Sequence, residues 1–287
     1  MPSGAAAAAK INLTLHICGK RADGYHLLDS LVVFAGVGDL ISVAPADELS
    51  LAITGPFGAA LQAEPDNLVL RAARLLAATH KVTKGAVLTL EKHLPVASGI
   101  GGGSADAAAT LRACGELWNV DPRALSDAEI AAKLGADVPV CLHGKPAFMS
   151  GIGEIIDAAP RLPATWMVLV NPGVPLSTKT VFGALAGRFH APMTRTDFAG
   201  LDTAMALAQV LKAYGNSLMA PAREQLPVIG SVLALIEATP GCLLARLSGS
   251  GPTCFGLYAS AAQANAAAKH IKSVQNAWWT AAAPVLP

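Results

Sequence analysis

Between residues 94 and 111 the sequence reads LPVASGIGGGSADAAATL, four glycines and two serines running straight into an alanine-rich helical stretch. Glycine lets the backbone turn so that several N–H groups point at one spot, and a following helix adds the positive end of its dipole. Such a place suits a phosphate. The Gly-Lys-Ser/Thr ending of a Walker loop is absent, and Ser104 stands where the third glycine of a dinucleotide fingerprint belongs. Glycine runs also make ordinary tight turns. Here Pro95, Ser98, Gly99, Gly101, Gly102, Gly103 and Ser104 coincide with a strand-to-helix context, which favours phosphate binding. A second element, LSGSGPTCFGL, follows about 150 residues later. Alone it would be a hairpin, but a triphosphate needs backbone donors from more than one side.

Three further places carry chemistry. Lys10 shares one face of an alternating stretch with Asn12. It is either a solvated position on an exposed sheet face or a cation aimed at a transferring phosphoryl group. Asp137, in LGADVPVCL, is either a helix cap or turn residue beside Gly135 and Pro139, or a carboxylate made basic by apolar neighbours and paired with a lysine such as Lys10. In DGYH, Asp23 and Gly24 read as a turn, while Tyr25 could stack on a base and His26 could bond its edge.

These residues must be positioned by a chain of 287 residues, long enough for two lobes with a cleft between them. Lys+Arg number 21 against Asp+Glu 20, which argues against nucleic acid or an anionic membrane as the partner. The absence of a bilayer-length apolar run and of a signal peptide implies a soluble cytoplasmic protein. Five scattered cysteines without a Cys-x-x-Cys pair read as buried thiols, and no histidine pair has zinc spacing, so no structural metal is expected.

KINLTLHIC, residues 10–18, alternates as a half-buried strand. LLDSLVVFAGV, DLISVA and LSLAI read as separate further strands of an antiparallel sheet. A helix over 66–80 has Asp66 as its cap. After the strand GAVLTLEKHLP, the glycine loop opens the helix SADAAATLRACGELW. Ser126 and Glu129 have capping-box spacing for a third helix that Gly135 stops. Two or three strands span 146–173, with the lobe boundary near Pro160 to Pro163, giving lobes 1–160 and 161–287. Helical patterns follow near 177–187, 202–213 and 228–238, then the glycine hairpin, a helix over 260–272 and a last strand with Trp278 and Trp279.

Taken together, AKINLTLHICGKRADGYHLLDSL, DNLVLRAARLL, LPVASGIGGGSADAAATL, LGADVPVCL and RLSGSGPTCFGLY resemble the galactokinase, homoserine kinase and mevalonate kinase (GHMP) superfamily of small-molecule kinases, in family order over nearly the whole chain. The branch acting on 4-diphosphocytidyl-2-C-methyl-D-erythritol, in the non-mevalonate route to isoprenoids, matches best. The resemblance implies a two-lobed α+β kinase, with an amino-terminal ATP-binding lobe and a carboxy-terminal substrate lobe. It implies transfer of the γ-phosphoryl group of ATP to the 2-hydroxyl, with Asp137 as base and Lys10 as its partner. Pro95, Val96, Ala97, Ser98 and Gly99, then Ile100, Gly101, Gly102, Gly103 and Ser104, would wrap the phosphates, and Gly249, Ser250 and Gly251 would close on them. Tyr25, His26 and Phe182 would contact cytosine, with Asn12 on the substrate and Asn67 lining the adenine pocket. Mg²⁺ would arrive with the nucleotide, and the enzyme would be a monomer or homodimer. One departure is Val96 to Ser98, where relatives often carry more glycine, which stiffens the loop's first half.

The alternatives are a GHMP kinase for another alcohol, a dinucleotide-binding oxidoreductase, and a nucleotide binder without turnover. GYH with Phe182 speaks against the first, the missing third glycine against the second, and the retention of Lys10 and Asp137 against the third.

Overall fold

The computed structural model describes residues 3–62 and 66–287. Strands β1 (Ser3–Asn12), β2 (His16–Lys20), β3 (His26–Ala46) and β4 (Leu49–Thr54) lead to helix α1 (Leu68–His80) and strand β5 (Gly85–Glu91). Helices α2 (Gly102–Trp118), α3 (Asp127–Leu134) and α4 (Val138–His143) follow, then β6 (Ala147–Gly151), β7 (Ile155–Ala158) and β8 (Trp166–Asn171). The remainder is α5 (Thr178–Gly183), α6 (Ala204–Ala213), α7 (Met219–Gln225), α8 (Val228–Glu237), β9 (Leu244–Leu247), β10 (Cys254–Tyr258), α9 (Ala261–Val274) and β11 (Trp279–Pro284).

The chain packs as two compact units that do not follow its linear order. One takes the chain up to Ala9, Gly38–Val96 and Gly101–Gly144; the other takes Lys10–Val37, Ala97–Ile100 and Lys145–Pro287.

In the first unit, the second half of β3 runs antiparallel to β5, from Leu40 opposite Glu91 to Ala46 opposite Gly85. β4 lies parallel to β5 on the other side, a departure from the all-antiparallel expectation. Helix α2 is buried almost continuously from Ala105 to Leu111, so its alanines serve close packing on several sides. Ser126 and Glu129 form the expected capping box of α3, and Gly135 is its C-cap.

In the second unit, the first half of β3 pairs antiparallel with β2 and with β6, which pairs with β7. A separate antiparallel sheet has the order β11-β8-β10-β9 and includes the expected hairpin, with Cys254 opposite Leu247. Its β8 and β10 are buried on both faces, and Val168, Val170, Ile236, Tyr258 and Ile271 share the core there.

Four expectations are corrected. LLDSLVVFAGV and DLISVA are one 21-residue strand, β3. Its Gly38 does not break the strand; it leaves room for β1, because the Ala7 carbonyl oxygen lies 2.2 Å from where a Cβ would stand. The stretch 10–18 is interrupted between β1 and β2, and its polar face is buried, with Lys10 at 3%, Asn12 at 2% and Thr14 at 0% exposure. Asn67, rather than Asp66, caps α1, its Oδ1 accepting the Val69 N–H at 2.9 Å. Helices α4 and α7 are additions, both shorter than the span over which helical periodicity becomes legible.

Candidate active site

In the second unit the two glycine-rich elements touch. Thr253 N–H donates to the Ser98 carbonyl at 3.1 Å, and Ser248 Oγ donates to the Gly99 carbonyl at 3.1 Å. A Cβ on Gly99 would stand 2.6 Å from the Gly251 carbonyl oxygen, a distance no side chain tolerates. Gly99, Gly249 and Gly251 all have positive φ, at 75°, 56° and 84°. Ala97 also takes a left-handed φ of 51°, so the departure at Val96 to Ser98 places a methyl group where glycine would be unstrained.

Residues behind the hairpin hold it in place. Asn216 Nδ2 donates to the Leu247 carbonyl at 2.9 Å and to the Gly249 carbonyl at 2.8 Å. Asn171 Nδ2 donates to Thr253 Oγ1 at 2.9 Å, and the hydroxyls of Ser250 and Thr178 are 2.9 Å apart. Arg246 donates to the carbonyls of Leu13, Leu211 and Tyr214, and burial pushes its guanidinium down to about 10.

Lys10 is tied to the loop through its backbone, its N–H donating to the Ile100 carbonyl at 2.9 Å. The solvated-surface reading of Lys10 is therefore wrong; at 3% exposure the side chain is buried. Asn12 accepts nothing at Oδ1 within hydrogen-bond reach, while its N–H donates to Ser248 Oγ at 3.2 Å and its Nδ2 to Ser30 Oγ at 2.7 Å. An unmade buried bond costs about 1–3 kcal/mol. That oxygen lies 3.5 Å from the Cβ position of Gly249.

Tyr25 is 60% exposed at the β2–β3 turn, where Gly24 N–H donates to the Arg21 carbonyl at 3.0 Å. Asp23 and Gly24 thus form the expected turn. His26 opens β3 and meets Phe182, their ring centroids 4.9 Å apart and tilted by 43°. Burial, with Lys20 adding to it, holds the His26 imidazole below its ordinary value, which favours the neutral ring.

In the first unit, α2 starts at Gly102 with Gly101 as N-cap, no side-chain cap and no acidic residue in its first turn. Its leading N–H groups have no capping side chain. Pro95 is buried, Val96 and Gly103 are exposed and Ser104 is half-buried. Asp137 occupies the N-cap position of α4, yet its side chain makes no cap hydrogen bond. The turn is made instead by the Gly135 carbonyl, which accepts Val138 N–H at 3.0 Å, and by Pro139 in the first helical turn.

The sequence reading missed a buried ionic cluster beside the loop. Lys92 Nζ donates to Asp39 Oδ2 and, at 2.7 Å, to Asp106 Oδ2, all three side chains being no more than 3% exposed. Asp106, alone among alanines, and Lys92, between a strand and the loop, were the available signals. Asn216 and Arg246 offered none, since their partners are carbonyls far away in the chain. A cavity of about 450 Å³ in this unit, lined by Arg112, Glu116, Asn119, Arg123 and Leu142 among others, contains none of the expected site residues. Among the described residues no group of three or more His, Cys, Asp or Glu is arranged to hold a metal ion, and no helix is long and apolar enough to cross a membrane.

Two sequence families match the chain: "GHMP kinases N terminal domain" over residues 67–145 and "GHMP kinases C terminal" over 184–277. A relative from Paramagnetospirillum magneticum, named 4-diphosphocytidyl-2-C-methyl-D-erythritol kinase, is 55% identical over 282 residues, covering 98% of this chain and 97% of its own. The chain belongs to the GHMP kinases. A relative of the same name from Cereibacter sphaeroides is 56% identical over 279 residues, 96% of this chain and 97% of its own. A solved 4-(cytidine 5'-diphospho)-2C-methyl-D-erythritol kinase superposes with a TM-score of 0.78 at 31% identity, covering 99% of this chain and all of its own. The homoserine kinase of Cytophaga hutchinsonii, at a TM-score of 0.70 and 18% identity over 99% of this chain and 93% of its own, shares the fold. The expected α+β GHMP kinase architecture is therefore present, and the chain is a kinase of a family that takes phosphate from ATP.

Proposed function

We propose that this GHMP kinase transfers the γ-phosphoryl group of ATP to the 2-hydroxyl of 4-diphosphocytidyl-2-C-methyl-D-erythritol, the compound after which relatives 55% and 56% identical to it are named. The observation that carries the nucleotide part is the contact of the two glycine elements, Ser98 and Gly99 with Ser248 to Thr253. Bare backbone on both strands of that contact supplies N–H donors without side-chain obstruction. The loop from Pro95 to Ser104 then holds the phosphates, Gly249 to Gly251 close on them, and Asn67 borders the adenine.

In the transfer step the 2-hydroxyl oxygen forms a bond to the γ-phosphorus as the bond to the bridging β–γ oxygen breaks, ADP leaves, and the hydroxyl proton passes to Asp137. Lys10 is the cationic partner that keeps Asp137 ionised and balances charge on the transferring group. Magnesium, carried in with ATP, would screen the phosphate charge. Asn12 Oδ1 accepts a substrate donor, and Tyr25, His26 and Phe182 receive the cytosine, with neutral His26 suited to a neutral base edge.

The proposed lobes run 1–160 and 161–287, with one family match in each. All five cysteines are free thiols, in keeping with the proposed cytoplasmic setting, where the enzyme works as a monomer or homodimer.

The test is ADP release with ATP and magnesium and, in turn, the cytidyl compound, mevalonate, homoserine or no acceptor. Turnover with the cytidyl compound alone is expected. Turnover with another alcohol instead overturns the substrate and the Tyr25 role.

A further inference from the structure

The cluster of Lys92, Asp39 and Asp106 has no part in the phosphoryl transfer as written, yet it touches both ends of the glycine loop. Asp39 Oδ1 accepts two backbone N–H groups on the loop's entry arm, His93 at 2.6 Å and Leu94 at 2.8 Å. Lys92 reaches from that arm to Asp106, one turn into the helix on the exit arm. Between them sits Gly102, whose absent Cβ would stand 3.1 Å from the Lys92 ammonium and 3.8 Å from Asp39 Oδ2.

Burying three ionisable groups is costly, and apolar residues of the same volume usually do as well or better for stability alone. What apolar residues cannot do is fix a direction. Hydrogen bonds from one ammonium to two carboxylates, and from one carboxylate to two successive amides, define the distance and angle between the arms far more narrowly than packing would.

We propose that Lys92, Asp39 and Asp106 are positioning residues that clamp the entry and exit arms of the glycine loop, holding its N–H groups in the arrangement that receives the ATP phosphates. This rests on the reading of residues 95–104 as the phosphate loop. Asp106 is the member whose removal is informative. Its loss leaves Lys92 and Asp39 as a charge-balanced pair and frees the exit arm alone. Burial pushes the Asp106 carboxyl up to about 7, so the neutral amide of Asn, which still offers Lys92 an acceptor, reproduces one of its native forms.

The experiment measures Michaelis constants for both substrates in Asp106→Ala, Asp106→Ser, Asp106→Asn and Gly103→Asp, each taken as the monodisperse folded fraction. In Asp106→Ala the constant for ATP should rise about tenfold, the scale expected for misplacing a binding loop by a fraction of an ångström. The constant for the cytidyl substrate should stay put. Asp106→Ser, too short to reach the ammonium, should behave like Ala and serves if Ala does not fold, whereas Asn should return the ATP constant towards that of the parent. Equal rises for both substrates, no rise for ATP, or no rescue by Asn each overturns the clamp. Gly103 has open space around it, so Asp at that position tests the loop itself by placing a negative charge at the helix start. If Gly103→Asp leaves ATP binding intact, the loop reading fails and takes the clamp with it. If Gly103→Asp weakens ATP binding and Asp106→Ala does not, the clamp alone fails.

Discussion

The carbonyl oxygen of Gly251 lies 2.6 Å from the point where a side chain on Gly99 would begin. Glycine 99 is thus required twice, for its φ of 75° and for the backbone it lies against. Two stretches that are both glycine-rich for local reasons also need glycine because of each other.

The substitution Gly99→Ala should therefore destabilise the protein by about 1–3 kcal/mol and raise the Michaelis constant for ATP. Gly103→Ala, in a helical position with open space, should be neutral or slightly stabilising. Thermal unfolding of the two variants side by side is the check, and equal stability would mean that the loops do not meet as described.

Asp137→Asn should fold, bind ATP and lose turnover by roughly 10²- to 10⁴-fold, the usual consequence of removing a general base. The side chain makes no cap hydrogen bond, so helix α4 has little to lose from the change. A rate near that of the parent enzyme would sink the base assignment.

For Tyr25→Ala the Michaelis constant for the cytidyl substrate should rise about fivefold or more, since stacking of a base on an aromatic ring is worth about 1–3 kcal/mol. The constant for ATP should not change, because Tyr25 is an exposed turn residue and supports no core. Equal weakening of both would point to misfolding.

Asp106 makes a prediction about pH. Burial is the main reason its carboxyl is raised to about 7; Asp39 adds to the rise and Lys92 opposes it. The native state consequently keeps a proton that the unfolded chain has lost between about pH 4 and 7. That contribution to stability is complete below the unfolded value and disappears as pH rises through about 7. Asp106→Asn has no such proton to lose, so its melting temperature should gain on that of the parent protein from pH 5 to pH 8. Parallel melting curves across that range would refute the shift.

Local chemistry made much of this molecule legible. The Ser126–Glu129 capping box, the Gly135 stop, the hairpin around Gly249 to Gly251 and the strand-to-helix setting of the glycine loop all depend on residues a few positions apart. Misreadings arose where distance along the chain decides. Gly38 looked like a break because the Ala7 backbone that requires it is 31 residues upstream. Lys10 looked solvent-facing because alternation marks two faces without telling which is covered. Asp39, Lys92 and Asp106 could not be joined by any pattern, since each is a single charge in an apolar context and their partnership exists only in three dimensions.

The interleaving of the two units bears on how the protein is made. The first unit is complete once the ribosome has passed Gly144, whereas the second has its opening segment, Lys10–Val37, synthesised between two pieces of the first and its bulk after it. The early segment must await partners not yet translated, so folding of the second unit cannot finish during most of elongation. No single proteolytic cut or truncation releases either unit as one continuous polypeptide, and a circular permutant opened near Gly144 would change the order of emergence without changing the native contacts.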